Sequence, residues 1–505
     1  MNTLEITTGQ NGLELWKAVL RGAVGLRLSG EARHAIRDAH EALGRIIARG
    51  GALYGINTGS GRLAGTIIPD EDVLALQRNL VLSHAIGSGP PLSRGETRLV
   101  LAMKIGCFAQ GCSGVRPMLV DLMTEMFNRD ILPVIPSQGS VGASGDLTPL
   151  AHVAAAMIGA GQVSVAGRVM PAAEALADAG LEPLTLQPKE GMALLNGTQV
   201  SAAMAMAAVL EARQSLDTAV IVGALTTEAV LGSARSFDER IHRQRRQPGQ
   251  IEIARRMRDL IENSEFRTKA LSEGRVQDPY CIRCQPQVYG ACLDLLDQAT
   301  ATLMREADAV TDNPLVFSER DEIVSGGNFH AEPVAFAADT IAMAICEIGS
   351  LSERRLAMMI DAGLSGGLPP FLTDGPGVHT GFMSGQIGAA AMVAENRQKA
   401  FPASVDSVPT VANYEDHVSM ATHGARRLAA MIDTLNNILA AELLAAIEGC
   451  DHRGLQLSAR LSEVAGLVRS QVDRVNYDRA FGPAYEAARR MVKSGQILAA
   501  SRYCT

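Results

Sequence analysis

Apolar residues recur along much of the chain at steps of three and four. In residues 420–448, Leu428, Met431, Leu435 and Ile438 follow this spacing, and Leu439, Leu443 and Ile447 extend the stripe. That is the period of one face of an α-helix. The same reading predicts long helices over residues 197–233, 286–310, 333–364 and 385–399. At about 1.5 Å per residue the 420–448 helix spans roughly 40 Å. Ala-rich helices of that length pack side by side in bundles. Nearer the N-terminus, residues 73–128 read as helices interrupted by Gly87-Ser88-Gly89-Pro90-Pro91, a β-like stretch is expected around Val163–Val169, and the first part of the chain mixes short helical patterns with turns. The expected fold is mainly α: a smaller, loop-rich N-terminal region over residues 1–195, then a long-helix bundle over residues 196–505.

Composition supports this picture. The 505 residues are 47% hydrophobic and 20% charged, enough for a large core, and aromatics make up only 4% with a single Trp. Ala, Leu and Met carry the apolar share, and they favour helices. A net charge of −8 argues against general attraction to nucleic acid or an anionic membrane. On that ground the basic run Arg240–Arg246 reads as a solvated loop or interface patch. Eight scattered cysteines are too sparse for a disulfide scaffold. Cys281 and Cys284 form a CxxC with neither a second pair for zinc nor a βαβ setting, so reduced, partly buried thiols are expected. Residues Met1–Asn11 lack a basic region followed by an apolar run, and apolar stretches such as Ala202–Leu210 are shorter than the roughly 20 residues of a membrane span. A soluble, cytoplasmic protein is expected.

One segment breaks the helical pattern. Between Ile131 and Pro149 lie Pro133 and Pro136, then Gly139, Gly142 and Gly145 with small side chains between them. This composition suits neither a regular helix nor a central strand. Within it stands Ala143-Ser144-Gly145, a triplet without meaning alone. A backbone amide can attack the carbonyl two residues earlier only in a tight, strained turn, and the attacking residue is best a glycine, here Gly145. Loss of water closes a five-membered ring, and loss of the Ser144 hydroxyl leaves an exocyclic methylidene. Asp146 is placed to assist these proton transfers, a role compatible with that of a turn or helix-cap carboxylate.

The stretch Gly139 to His152 closely resembles the prosthetic-group loop of the aromatic amino-acid ammonia-lyase and aminomutase family. Further blocks resemble the family in order: Tyr54-Gly55-Ile56-Asn57-Thr58-Gly59, Leu194 to Gln199, Gln277-Asp278-Pro279-Tyr280, Arg283 to Gln287, Asp312-Asn313-Pro314 and Gly326 to Pro333. The likeness runs from about residue 50 to about residue 450. It implies the family's cofactor, 4-methylidene-imidazol-5-one, formed from Ala143, Ser144 and Gly145, an electrophile that turns the substrate amine into a better leaving group. It implies Tyr54 as the base for a β-proton, which needs a pKa below the usual value of about 10 to work near neutrality. Arg283 resembles the carboxylate clamp, a task suited to a guanidinium's paired donors. Asn196 resembles the residue supporting the prosthetic group and the polar end of the substrate. Tyr280 and Phe329 resemble further lining, Phe329 as packing, and Gln277 is expected near the carboxylate. His330 and Glu332 lack a third ligand at suitable spacing, so structural hydrogen bonding and no metal are expected. Family members are homotetramers, which implies the same assembly here.

Two blocks speak to the substrate. Ser83-His84 resembles the pair of histidine ammonia-lyases, where the tyrosine and phenylalanine enzymes carry His-Leu or Phe-Leu, and a histidine suits an imidazole partner. Glu415 in Asn413-Tyr414-Glu415-Asp416-His417 resembles the Glu that contacts the substrate ring in those enzymes, a poor neighbour for a phenyl group. Met383 fits the same pattern. Tyr414 stands where Gln is usual and Ser60 where Phe is usual; Arg62 and Ser384-Gly385 are further differences around the pocket. The expected reaction is elimination of ammonia from L-histidine to give urocanate. The rivals are the same chemistry on another aromatic amino acid or a histidine derivative, and an aminomutase. A helical binding protein without catalysis is opposed by the presence of Ser144, Tyr54 and Arg283, and a metal-dependent hydrolase by the lack of a ligand set. The expected partner is a small amino acid, with no nucleic acid and no membrane.

Overall fold

In the structure, a computed structural model, residues 2–22, 24–273, 275–475 and 477–502 are described; Cys504 lies outside them. The chain is 60% helical, and the mainly-α expectation holds. It divides into two compact units: residues 1–207, 300–339 and 402–426, and residues 208–299, 340–401 and 427–505. This differs from the expected contiguous break between residues 195 and 196. Helices Gln199–Ala229, Gln285–Ala307, Glu332–Ile360 and Ala421–Arg453 each contain a boundary, and the remaining one, at 401/402, follows helix Met383–Lys399, so the chain changes units mostly inside helices.

All strands among the described residues lie in the first unit. Asn2–Ile6 pairs in parallel with Val24–Leu28, Leu4 opposite Leu26, in a region read from the sequence as helices and turns. Ser88–Pro91 pairs with Pro136–Gln138, and Leu132–Pro133 joins the Gln162–Val165 and Arg168–Pro171 hairpin. Pro133 and Pro136 thus sit in strands of two and three residues, where a missing N–H costs little. The core helix is Arg94–Ala109. It opens with a capping box in which Glu96 N donates to Ser93 Oγ and Ser93 N to Glu96 Oε2, and it is buried from Thr97 to Ala109, Arg98 and Lys104 included.

Among the described residues of the second unit, the regular elements are helices joined by loops. The stripe read from the sequence is its core: Leu435, Ile438, Leu439 and Leu443 are fully buried. A buried ion pair lies among them. Arg355 donates from Nε and Nη2 to Glu442 at 2.5 and 2.7 Å, while Thr226 and Ser352 hydroxyls donate to the same carboxylate. Breaking such a pair on one side costs about 3–5 kcal/mol. Glu332–Ile360 and Ala421–Arg453 are long and apolar enough to cross a membrane by length and composition, beyond what the short apolar runs suggested; 61% and 83% of their most apolar windows are buried inside the fold, as in core helices.

The basic run is not a loop. Glu239–Arg245 is a helix in which Arg240 N donates to the capping Asp238 carboxylate, and Arg240 and Arg243 pair with Asp238 and Glu239. His242 is buried, held by the Ser236 carbonyl and the Gln250 amide. The Arg240–Asp238 and Arg243–Glu239 pairs offset part of the run's positive charge. The seven described cysteines are free thiols.

Candidate active site

The glycine-rich segment folds as a turn pressed against the Asn196-Gly197 backbone. Gly145 has φ +74°, and a Cβ there would lie 2.3 Å from the Gly197 carbonyl oxygen. Gly145 and Gly197 form a parallel bridge, and Asp146 N donates to Gly197 O at 2.7 Å. Gly142, at φ +67°, is closed in from the other side by Ser419, whose Oγ donates to the Gly142 carbonyl. Any side chain at Gly145 would displace backbone, the more costly kind of clash.

Asp146 is fully buried. Its Oδ1 accepts from Ser140 Oγ (3.0 Å) and Thr422 Oγ1 (2.6 Å), and its Oδ2 from Ser201 N (2.7 Å) and Ser201 Oγ (2.9 Å). It precedes helix Leu147–Met157 but makes no side-chain cap bond. The helix-cap reading is therefore corrected: the carboxylate ties three segments together beneath the turn. Four donors leave a carboxylate well satisfied, so Asp146 holds the turn's shape.

Above it, Asn196 Nδ2 donates to the Ser144 carbonyl at 3.2 Å, and the Ser144 hydroxyl makes a short hydrogen bond to Glu415 Oε1. Glu415 Oε2 accepts from Thr410 Oγ1 at 2.8 Å. Its loop runs through Val411, Ala412 and Asn413, three non-glycine residues in succession with φ between +51° and +65°. Left-handed backbone costs roughly 1 kcal/mol or more per residue, and strain of this kind clusters at functional sites. Tyr414 stands 56% exposed beside Glu415.

Below Asn196 lies Lys104, fully buried, its ammonium donating to the Asn196 carbonyl in a short hydrogen bond. Burial holds its pKa below the usual lysine value. Neighbouring Lys189 and Asp312, both fully buried, pair at 2.6 Å. Lys104 was absent from the sequence-derived site. Its signal is a lone ammonium in the run Leu99–Ala109, where an unpaired lysine is almost never buried.

Tyr54 is half-buried in a turn, not a core position, and its hydroxyl accepts from Gly61 N at 3.2 Å. A Cβ at Gly61 would touch Val411, so the Tyr54 turn borders the Glu415 loop. His84 closes helix Val73–His84 with Nδ1 2.8 Å from Leu80 O. A carbonyl only accepts, so Nδ1 carries the hydrogen and Nε2 is left with its lone pair or a second proton. Phe329 is half-buried.

Gln277, Tyr280 and Arg283 belong to the second unit and form a group of their own. The Arg283 guanidinium lies 4.5 Å from the centre of the Tyr280 ring. With the Gln277 amide oxygen turned toward it, that oxygen accepts from Nη1 and Nη2, each at 3.2 Å. Arg283 Nε is buried without a partner, and Tyr280 is 69% exposed. No carboxylate among the described residues pairs with Arg283, so it retains donors for an incoming one.

The spacing argument against a third ligand needs correction. Spacing offered no third ligand beside His330 and Glu332, yet the fold brings in His417, and one ligand atom from each of the three lies within 4.8 Å of the others. The third group comes from 87 residues beyond His330, a distance no local motif can reveal.

A family model described as aromatic amino acid lyase matches residues 12–470. The chain belongs to the aromatic amino acid lyase family. Among solved structures it is similar to histidine ammonia-lyase from Trypanosoma cruzi (34% identity, TM-score 0.91, covering 99% of this chain and 95% of that one). It is similar to tyrosine aminomutase from Streptomyces globisporus at the same 34% identity (TM-score 0.93, 99% and 98%). It also resembles the ergothioneine-degrading ergothionase of Treponema denticola (26% identity, TM-score 0.94, 98% and 100%). The aromatic amino acid lyase family is known for the methylidene-imidazolone group. The residues here fit that group: a side-chain-free Gly145 against backbone, an amide donor on the Ser144 carbonyl and a carboxylate on the Ser144 hydroxyl.

Proposed function

We propose that this chain is an ammonia-lyase that converts L-histidine to urocanate, with an electrophile formed by cyclisation of Ala143, Ser144 and Gly145. The observation that carries the reading is the Ser144–Glu415 hydrogen bond, which sets a carboxylate at the reacting position. A carboxylate is a costly neighbour for a phenyl ring and a good one for an imidazole.

In this reading Gly145 N bonds to the Ala143 carbonyl carbon and one water leaves; a second water carries away the Ser144 hydroxyl. Glu415 Oε1 thereby loses the donor it holds in the uncyclised chain and becomes free to accept from the substrate ring. The methylidene group supplies the electrophile for the substrate amine. Asn196 keeps its amide on the Ser144 carbonyl, Asp146 and Gly197 fix the turn, and Thr410 orients Glu415. Tyr54 takes the β-proton, and His84 Nε2 and Tyr414 are available to the substrate's ring. Phe329 packs against it. The test is near-ultraviolet difference absorbance together with intact mass: the wild-type chain is expected two water molecules lighter than its sequence, and Ser144→Ala is not. Equal spectra and no mass deficit contradict the reading.

We further propose a cytoplasmic homotetramer acting on a small amino acid, without a resident catalytic metal. The unpartnered Arg283 Nε and exposed Tyr280 support an assembly in which Gln277, Tyr280 and Arg283 receive a substrate carboxylate. Mixing refolded Ser144→Ala and Arg283→Ala chains is expected to restore activity that neither has alone if different copies complete one site. A second reading, an aminomutase or a lyase for a modified histidine, draws support from the equal 34% identity to a tyrosine aminomutase and from Tyr414 beside Glu415. A β-amino acid product would favour it.

A further inference from the structure

The group formed by His330, Glu332 and His417 has no part in the proposed reaction. His330 Nε2 lies 3.2 Å from the His417 backbone carbonyl. Since a carbonyl only accepts, Nε2 carries the hydrogen, and Nδ1 is the nitrogen turned to Glu332, 3.8 Å from Oε2. That is too long for a hydrogen bond, and Glu332 Oε2 is a buried oxygen with no hydrogen-bond partner. The His417 ring lies 5.7 Å from that of His330, inclined at 34°. Two imidazoles therefore gather beside a carboxylate that has one unsatisfied oxygen, and the backbone bond to His330 is the outer support that metal-bound histidines usually have.

We propose that His330, Glu332 and His417 form a binding site for a divalent transition-metal cation of the zinc type. Two nitrogens and one oxygen suit zinc and its first-row neighbours better than magnesium or calcium, which take oxygen ligands. Three protein ligands leave one position of a tetrahedral ion for water or another small ligand. Ligands at roughly 2.0–2.1 Å from zinc stand about 3.3 Å apart, so side chains now within 4.8 Å close by an ångström or so. His417 is exposed and Glu332 half-buried, which leaves room for that adjustment.

The site lies on the segments that clasp the prosthetic-group turn. Ala331 N donates to Gly142 O, and Met420 N to Val141 O. A bound ion would fasten the two segments to each other where both are fastened to the turn. The ion's role is positioning rather than chemical, and the proposal stands whether or not histidine is the substrate.

The test uses the full chain freed of metal with a chelator, Zn2+ alone as the probe, calorimetric titration and elemental analysis. One ion per chain is expected, with a rise in Tm that grows with free Zn2+. Glu332→Gln, which keeps the side chain's shape, and His417→Asn are each expected to weaken binding about 100-fold or more and abolish the Tm rise. His34→Ala, on an exposed helical pair, is expected to change neither. Circular dichroism and assembly state establish that each variant folds, and Glu332→Gln carries the test if His417→Asn does not. No Zn2+ uptake by the wild-type chain, or equal stoichiometry and affinity in Glu332→Gln, overturns the proposal.

Discussion

The Ser144 hydroxyl donates to the Glu415 carboxylate across 271 residues of sequence, joining the glycine-rich turn to the loop that runs from Thr410 to Glu415. Replacing Glu415 with Gln keeps the shape and removes the charge. The expected result is a fall of about 100-fold in kcat/KM for L-histidine, with the spectral signature of the cyclised triplet retained. Steady-state kinetics beside difference spectra separate the two effects.

Gly145 is expected to tolerate no side chain. Gly145→Ala places a Cβ 2.3 Å from the Gly197 carbonyl oxygen at φ +74°, so the amide and carbonyl that must react are pushed apart. Intact mass is expected to equal that of the uncyclised sequence, with turnover lost; a mass two waters lighter would show that the turn is not the constraint.

Lys104 supports Asn196 from below. Lys104→Met fills the space but leaves the Asn196 carbonyl unpaired, at a cost of roughly 1–3 kcal/mol. Thermal melts are expected to show that loss. Turnover is expected to fall with little change in KM, because the displaced Asn196 amide acts on the Ser144 carbonyl.

Acid sensitivity has a definite source beside the turn. His152 Nε2 accepts from Gly87 N at 3.1 Å, and burial lowers its pKa below the usual histidine value of 6.5. The unfolded chain takes up a proton below that value where the folded chain does not. This contribution to stability is therefore complete above the unfolded pKa and declines as pH falls through it, by up to about 1.4 kcal/mol per pH unit. His152→Gln is expected to flatten the decline between neutral pH and pH 5 in part, since burial shifts His242 the same way. Urea melts at several pH values measure it; an unchanged slope would contradict the assignment.

What could be read in advance follows from the range of the interactions. The stripe from Leu428 to Ile447 announces its helix because helix contacts repeat within one turn. Gly142 and Gly145 mark the turn because only glycine adopts those angles beside backbone. The parallel pairing of Asn2–Ile6 with Val24–Leu28 has no local signature, since its partners meet through an intervening helix. Lys104 and His417 come to lie beside Asn196 and His330 only when segments 92 and 87 residues apart meet. The two compact units escaped prediction for the same reason: four of their five boundaries fall within helices, where apolar periodicity continues unbroken.

The most direct measurement is parallel incubation of the enzyme with L-histidine, L-phenylalanine and L-tyrosine, following acrylate products by absorbance and released ammonia by a coupled assay. Urocanate and ammonia in equal amounts from L-histidine, absent in Ser144→Ala, is the predicted result. Inert histidine with turnover of either other amino acid, or a β-amino acid product without ammonia, would contradict it.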